Sequence, residues 1–543
     1  DVIVMFLKKQ LNFLNLKHNL YPIIIWLIPV FIAFIAQMFS FGINRVLFKN
    51  ALENTATAVV FVSFALIFRH KASRVLQHIL FYIFVFTNLF ESAYFSIFKA
   101  NISASSIFII LETNFAEATE FVDFYFNPSL ILIGLFFIVI AVIYAVKPAY
   151  FKIKSVFKYQ KIIFVLGVIL PILAMSVRDY LQFNFIYLSV QSVREYITEQ
   201  EQMLRFNIDQ PTADIKGFVQ EKEIDEATFV MIIGESTTRN RMSLYGYEKE
   251  TTPYLDEIQS EIYKFDDVVT SHAYTIGALK DALTLHSLES TDDFSIVQLM
   301  NEAGFKTFWL SNQRPIGQYE SLVTKIAMAS DVYTPKNTAL DGSITPFDEV
   351  LIPAFDEALK DPAKKKFIIL HPLGTHMKYS DRYPSTFEHF KAEESNSSFD
   401  HQLARQRSSF YDNAVLYHDF FIQRIHEKLT QLQEASFMLY FSDHGDEVYD
   451  TIDFAGHLDD QPTPDMYEIP FFLWTNQAYQ NEFSLKIDTK RPAVLRDLMH
   501  SFSDLLTVKF DDYKASKSLF SDEFKSEDRI IGNGINYDKE LKR

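Results

Sequence analysis

The chain has 543 residues, 51 Lys and Arg against 68 Asp and Glu, a formal net charge of −17, and no cysteine. That length accommodates roughly two to four domains, and the acidic balance excludes a general nucleic-acid binder, which gathers Lys and Arg on one face. Without thiols there are no disulfides, thiolate metal sites or Cys nucleophile, so any metal is held by His, Asp, Glu or hydroxyl oxygen.

The charge is unevenly spread. Residues 1–180 contain fifteen Lys/Arg and eight Asp/Glu, a balance of +7, which leaves −24 for residues 181–543 within the total of −17. Asn19–Asn44 and Phe124–Val146 carry no charge at all, and each exceeds the roughly 20 apolar residues that cross a bilayer. Three shorter uncharged runs, Asn54–Phe68, Val75–Phe90 and Ile162–Val177, could singly be core helices. Five such runs in 180 residues predict a transmembrane domain over 1–178, with spans at about 19–44, 52–69, 75–98, 124–147 and 160–178.

Lys8, Lys9, Lys17, Arg69, Lys71, Arg74, Lys147, Lys152, Lys154, Lys158 and Lys161 lie in one set of connections. The alternate connections hold only Arg45, Lys49 and Lys99. The positive-inside rule therefore predicts a multi-pass chain with a cytoplasmic N-terminus and everything after Arg178 on the far side. The first run is too long, and too plainly followed by further spans, for a cleaved signal peptide.

The connection from Lys99 to Asn127 falls outside the membrane and contains Glu112, Glu117, Glu120 and Asp123. Its apolar stretch Ser106–Leu111 suits a return to the membrane surface. Residues 179–222 are polar, with Leu181, Phe183, Ile186, Tyr187, Val190, Val193 and Ile197 at roughly helical spacing. That pattern fits an amphipathic bridge on the bilayer or a plain solvated linker.

Residues 223–543 form the second domain. The β-rich apolar runs Thr228–Ile233, Thr307–Leu310, Phe367–Leu370, Phe437–Phe441 and Pro470–Trp474 alternate with helical patterns such as Gly277–Leu288, Ser408–Leu432 and Pro492–Leu506. Continuous apolar strands between helices predict an α/β domain with a mostly parallel sheet, whose ligands bind beyond the strands' carboxyl ends. Three runs end in metal-ligand chemistry: Gly234-Glu235; His371 with Gly374-Thr375-His376; and Ser442-Asp443-His444-Gly445. A lone Glu or His after a strand is commonly a cap or a surface residue. Carboxylates and imidazoles together, without sulfur, suit Zn²⁺ or Mn²⁺.

The stretch from Gly234-Glu235-Ser-Thr-Thr-Arg to Met-Ser-Leu-Tyr-Gly246-Tyr247, followed by Thr251-Thr252-Pro253, resembles the opening motif of the lipid-dependent phosphoethanolamine transferases. Ser442-Asp443-His444-Gly445-Asp446-Glu447 resembles their second metal motif, and His371 to His376 their strand-end histidine pair. The resemblance covers essentially the whole chain. It implies an alkaline phosphatase/sulfatase-like catalytic domain in the periplasm, anchored in the bacterial inner membrane by the five-helix domain.

The resemblance also implies roles. Glu235, Asp443 and His444 would bind Zn²⁺, one ion or two, with Thr275 as fourth ligand and nucleophile. Ser271 and Thr270 stay open as nucleophiles, because better-known members have one more residue before theirs; Thr275 is equally placed to be an ordinary helix N-cap. His376 and His457 would move protons, and His371, Asn312 and Arg314 would meet the phosphate. Glu112, Thr113, Asn114 and Glu117 would meet the ethanolamine ammonium. The donor is then phosphatidylethanolamine in the bilayer. The acceptor is lipopolysaccharide, through core heptose, Kdo or lipid A, and the wording around Tyr247 is nearer to members that modify heptose. Many relatives carry disulfides that this chain lacks.

Other readings use the same residues. A phosphoglycerol transferase would share the anchor and lipid donor. A sulfatase would need a Cys/Ser-x-Pro/Ala-x-Arg motif, which does not surround Thr275. A non-catalytic sensor would have lost its ligands, and Glu235, Asp443 and His444 are present.

Overall fold

Uncharged sequence rich in Phe and Ile satisfies its backbone in lipid only as helix, and among the described residues the first part of the chain is helices joined by short connections. The computed structural model describes residues 16–100, 102–103, 106–107, 110, 113, 115–151, 156–178, 180–290, 293–314, 322–337 and 345–543. It divides into two units, Asp1–Leu111 with Tyr125–Tyr196, and Glu112–Phe124 with Ile197–Arg543.

The helices in this part are α1 (Leu16–Phe41), α2 (Arg45–Leu66), α3 (His70–Phe98), α4 (Phe115–Tyr125) and α5 (Pro128–Val146). Next come α6, which runs Val156–Phe164, through a π turn Val165–Ile169, to Leu170–Val177, and α7 (Phe185–Phe206). Asn44 caps α2 by accepting from Leu47 N at 2.9 Å. Asn127 caps α5 from Ser129 N at 2.9 Å, with Pro128 at the first turn, where proline's missing N–H has no cost.

Among the described residues, Asn19–Phe39, His70–Phe98, Pro128–Val146 and Gln160–Val177 are long and apolar enough to cross a membrane. The span expected near 52–69 falls on α2, whose 22 residues are long enough but include Arg45, Lys49 and Glu53. Its buried face is polar: Asn50, Glu53, Asn54 and Thr57. Thr57 Oγ1 donates to Glu53 Oε1 at 2.7 Å and Asn54 Nδ2 to Glu91 Oε2 at 2.9 Å. Asn184 Nδ2 donates to Thr57 Oγ1 at 2.9 Å and to Glu53. These partners pair Glu53 Oε1, Asn54 and Thr57, as buried polar groups require, while Glu53 Oε2 is buried without a hydrogen-bond partner. The apolar core is aromatic: Phe81 stacks on Tyr144 at 3.8 Å between centroids, and Trp26 on Phe84 at 5.8 Å. Gly167 lets α6 approach α2, since a Cβ there would lie 2.1 Å from Ser63 Oγ.

The second unit holds a seven-stranded sheet of β1 (Ala227–Gly234), β2 (Ile262–Phe265), β3 (Lys306–Ser311), β4 (Val332–Pro335), β5 (Lys365–His371), β6 (Ala435–Ser442) and β7 (Phe471–Thr475). Their spatial order is β2-β7-β6-β1-β5-β3-β4. β1 lies centrally, parallel to β5 and β6, with Met231 opposite Ile369 and Leu439. β5–β3 and β3–β4 are also parallel. The expected mostly parallel sheet is in fact mixed: β7 pairs antiparallel with both β6 and β2. The connection from β6 to β7 builds loops and the one-turn helix Pro464–Tyr467, without the crossover helix that a parallel strand usually takes.

Packed with the sheet are α8 (Thr275–Leu283), α9 (Gln402–Leu429) and α10 (Leu498–Leu506). The helix expected from 492 begins only at Leu498, because Ala493–Val494 extends to pair with Val268–Val269 and Leu495–Asp497 turns. β1 is buried at every position, and Phe229 stacks on Phe437 at 4.3 Å in the core.

Candidate functional site

Parallel pairing decides which side chains meet. Gly234 is in register with Ser442, so the next residues, Glu235 and Asp443, leave the sheet together. Asp443 Oδ1 accepts from Ser236 N at 3.0 Å and His444 N at 2.7 Å, whereas Oδ2 is buried with no hydrogen-bond partner. Ser236 adopts a left-handed backbone (φ 57°), held by Tyr411 OH on its carbonyl at 2.7 Å and by its hydroxyl on Glu235 Oε1 at 3.0 Å. Such strain persists where neighbours over-determine it.

The loop after β5 closes over Glu235. Thr375 donates its N–H and its hydroxyl to the Glu235 carbonyl, each at 3.0 Å. Gly374 (φ +52°) permits this approach, because a Cβ would stand 2.9 Å from that carbonyl oxygen. Asp348 braces the turn by accepting from Leu373 N at 2.8 Å and Gly374 N at 3.0 Å.

Thr275 opens α8 at its first helical position, after Tyr274 as N-cap. Its hydroxyl does not cap the helix. Oγ1 lies 3.2 and 3.4 Å from the Glu235 carboxylate oxygens and 3.4 Å from His444 Nε2. Thr270 and Ser271 are buried, and neither hydroxyl has a hydrogen-bond partner. His444 Nδ1 is 3.0 Å from the Gly445 carbonyl, so that nitrogen carries the proton and Nε2 faces Glu235 at 3.4 Å and Asp443 at 3.5 Å. A metal-binding imidazole is commonly fixed this way.

Glu235, Asp443 and His444 are buried, with ligand atoms all within 4.8 Å of one another. His444, Asp446 and His457 form a second such group. The electrostatics call for a cation. Burial raises the Glu235 pKa, but the hydrogen bond and charge of His444 hold it well below the usual range. Burial, then the Glu235 charge, pushes Asp443 up to about 8. Burial opposes the charging of His444, yet Asp443 and Glu235 lift it to about 10. Two carboxylates, an imidazole with a fixed proton and a bare buried oxygen fit Zn²⁺.

The remaining expected residues divide. His371 is buried and His376 half-buried, and His371 Nε2 and His376 Nδ1 are buried without hydrogen-bond partners. Burial lowers His371 to about 4 and also lowers His376. The His457 ring lies 4.1 Å between centroids from His444, tilted by 55°, and contacts Asp446 at 2.7 Å. Asn312 is committed elsewhere, donating to Asp348 Oδ1 at 2.8 Å and Pro346 O at 2.9 Å. Arg314 reaches Asn337 at 3.0 Å and Thr345 at 3.4 Å. Glu112 and Asn114 lie outside the described residues, as does the side chain of Glu117; Thr113 is half-buried.

Sequence reading missed three groups. Gln313, between the two residues it singled out, donates to Glu235 Oε2 at 3.2 Å and Pro372 O at 3.0 Å. Asp446, within a motif it quoted, bridges His457 and Tyr379 OH, each at 2.7 Å. Asp459 ties down the loop before Thr275 through Ala273 N at 2.7 Å and His272 Nδ1 at 3.0 Å. No spacing signal marks Gln313 or Asp459.

The family described as Sulfatase matches residues 227–508. Phosphoethanolamine transferase EptC of Escherichia coli O18:K1:H7 is 33% identical over 482 residues, 81% of each chain. The crystal structure of the C-terminal periplasmic domain of E. coli EptC, in complex with zinc, is 35% identical, with a TM-score of 0.57 over 60% of this chain and 97% of that one. The lipooligosaccharide phosphoethanolamine transferase EptA of Neisseria meningitidis is 19% identical and shares the fold, with a TM-score of 0.60 over 87% of this chain and 98% of that one.

Proposed function

The chain belongs to the phosphoethanolamine transferases of the sulfatase family, and on that premise we propose that it moves phosphoethanolamine from phosphatidylethanolamine to lipopolysaccharide through Thr275. One observation carries this reading: the Thr275 hydroxyl lies against Glu235 and His444, and the same His444 nitrogen faces the bare oxygen of Asp443. Glu235, Asp443 and His444 would hold Zn²⁺, whose charge lowers the pKa of an adjacent hydroxyl and offsets charge on the phosphate.

Thr275 Oγ1 attacks the lipid phosphorus. The new Oγ–P bond replaces the bond to diacylglycerol, whose oxygen takes up a proton as it leaves. The acceptor hydroxyl then attacks the same phosphorus, loses its proton, and Thr275 regains its own. His376 and His457 are the proton carriers this geometry favours, since both are imidazoles near the cluster and burial keeps His376 neutral. His371 lines the phosphate's surroundings. Asn312 and Arg314, through their bonds to Asp348 and Asn337, shape the wall of the site. The residues around 112–117 would face the ethanolamine ammonium.

A diacyl donor explains the anchor. The chain would cross the bacterial inner membrane five times, with α2 as the polar-lined crossing, a cytoplasmic N-terminus, α7 as the bridge, and the catalytic domain in the periplasm. The test uses full-length protein in vesicles containing labelled phosphatidylethanolamine. Thr275→Ala is expected to abolish diacylglycerol release while retaining the fold. Undiminished release would remove Thr275 as nucleophile and point to Ser271 or Thr270.

A further inference from the structure

Residues 115–124 of α4 occur in sequence between two apolar helices, yet belong to the unit that carries the site. Two separate chains of contact run from them to the two histidines. In the first, Glu120 Oε2 lies 2.5 Å from Arg382 Nη2, and the Arg382 side chain is almost fully buried. The same guanidinium donates to His376 O at 3.3 Å and to Met377 O at 3.0 and 3.2 Å. Arg382 thus clasps the backbone of the turn that presents His376, and Glu120 neutralises and orients Arg382. A buried ion pair stripped of one partner leaves an uncompensated charge, so the clasp depends on Glu120.

In the second, Phe124 packs edge-on to Tyr379 at 5.5 Å between centroids. Tyr379 OH donates to Asp446 Oδ2 at 2.7 Å, and Asp446 Oδ1 meets His457 Nδ1 at 2.7 Å. Arg407 fixes Phe124 from the other side: its guanidinium sits 3.7 Å from the ring centre and donates to the Phe124 carbonyl. Lys378 adds a more exposed contact to Asp123 at 3.3 Å. One short helix therefore touches the supports of both histidines by independent routes, and a helix merely covering the surface would need neither.

We propose that α4 is a positioning element for the transfer reaction, with Glu120 setting His376 through Arg382 and Phe124 setting His457 through Tyr379 and Asp446. This rests on the reading of His376 and His457 as proton carriers. Glu120 and Phe124 do not act on substrate; they fix the imidazoles that do. Among the described residues, Glu235, Asp443 and His444 have no bond to Glu120 or Phe124, so an ion held by those three does not depend on α4.

The test is a charge exchange in the full-length, vesicle-reconstituted protein: Glu120→Arg, Arg382→Glu and the double variant, with Glu120→Gln as a milder single change. Each single charge reversal is expected to lower kcat about tenfold to a hundredfold, the scale set by displaced catalytic groups. KM and zinc content should change little, and hydrogen exchange of backbone amides 373–382 should rise. The double variant should recover most of the lost kcat and protection, and Glu120→Gln should move both readouts the same way by less. Unchanged exchange and kcat in Glu120→Arg, or a double variant no better than the singles, would overturn the proposal. Exchange is read without turnover. Failure of the wild type to release diacylglycerol would sink the transferase reading while leaving the positioning claim testable.

Discussion

Asp443 places one carboxylate oxygen on two backbone amides and leaves the other bare inside the protein. Gln313 does the complementary job for Glu235, fixing Oε2 from the Pro372 side of the site. Groups that orient metal ligands typically matter 10–100-fold in affinity or activity. Gln313→Ala should therefore weaken zinc binding by about that factor, read by competition with a chelating dye; unchanged affinity would make Gln313 a bystander. The candidate ligands Glu235, Asp443 and His444 were legible in the sequence because they stand within a few residues of the end of an apolar β run. Gln313 was not, because its contact with Glu235 spans 78 positions and exists only once β3 and β1 share a sheet. Asn312 and Arg314 show the converse: they flank Gln313 in sequence, but both side chains turn to structural partners.

At the scale of elements, α9 shows how much polar chemistry the core tolerates when it is paired. Arg241 is buried against Asp412 at 3.0 Å and Asp450 at 2.6 Å, and also donates to Ser408 Oγ at 2.7 Å and Val448 O at 2.9 Å. Arg241→Met would leave Asp412 with Lys249 as its one remaining cation among the described residues, beside the Tyr247 hydroxyl, and would leave Asp450 without its guanidinium. The expected loss is about 3–5 kcal/mol of stability, read as a lower urea midpoint at unchanged slope. A midpoint equal to wild type would show the network to be dispensable. One turn further on, two neighbours titrate in opposite senses. Burial pushes His418 down to about 4 and pushes Asp419 up to about 7. For His418 the folded pKa is depressed, so its contribution is complete above the unfolded value near 6.5 and is lost as pH falls toward 4. Relative to wild type, His418→Gln should gain up to about 3 kcal/mol on going from pH 6.5 to 4. Asp419→Asn should show the reverse trend, its relative gain growing as pH rises from 4 to 7. Parallel stability curves for variants and wild type would contradict the burial argument. Such effects are invisible in sequence, where His418 and Asp419 are two polar letters in a helical pattern. The same holds for β7: its apolar run was legible, but its direction depends on a connection occupied with building the site.

For the molecule as a whole, the net charge of −17 describes neither half. The uncharged runs announce helices, and four of them meet the demands of length and apolarity among the described residues. The helix α2 is not among them, since it carries Arg45, Lys49, Glu53 and a polar stripe; part of that stripe is paired with Glu91 and Asn184, a compensation that hydropathy alone does not register. The absence of cysteine leaves the second unit to be held by its sheet and by buried ion pairs, and leaves the site with oxygen and imidazole alone. In the proposed reaction the Thr275 hydroxyl, against Glu235 and His444, carries the phosphoethanolamine between donor and acceptor. The direct measurement is peptide mass spectrometry on wild-type protein quenched in acid after exposure to phosphatidylethanolamine without acceptor. The account predicts a phosphoethanolamine adduct on Thr275 that is absent from protein stripped of zinc and disappears when acceptor is added. An adduct on Ser271 or Thr270, or steady turnover with no adduct anywhere, would contradict it.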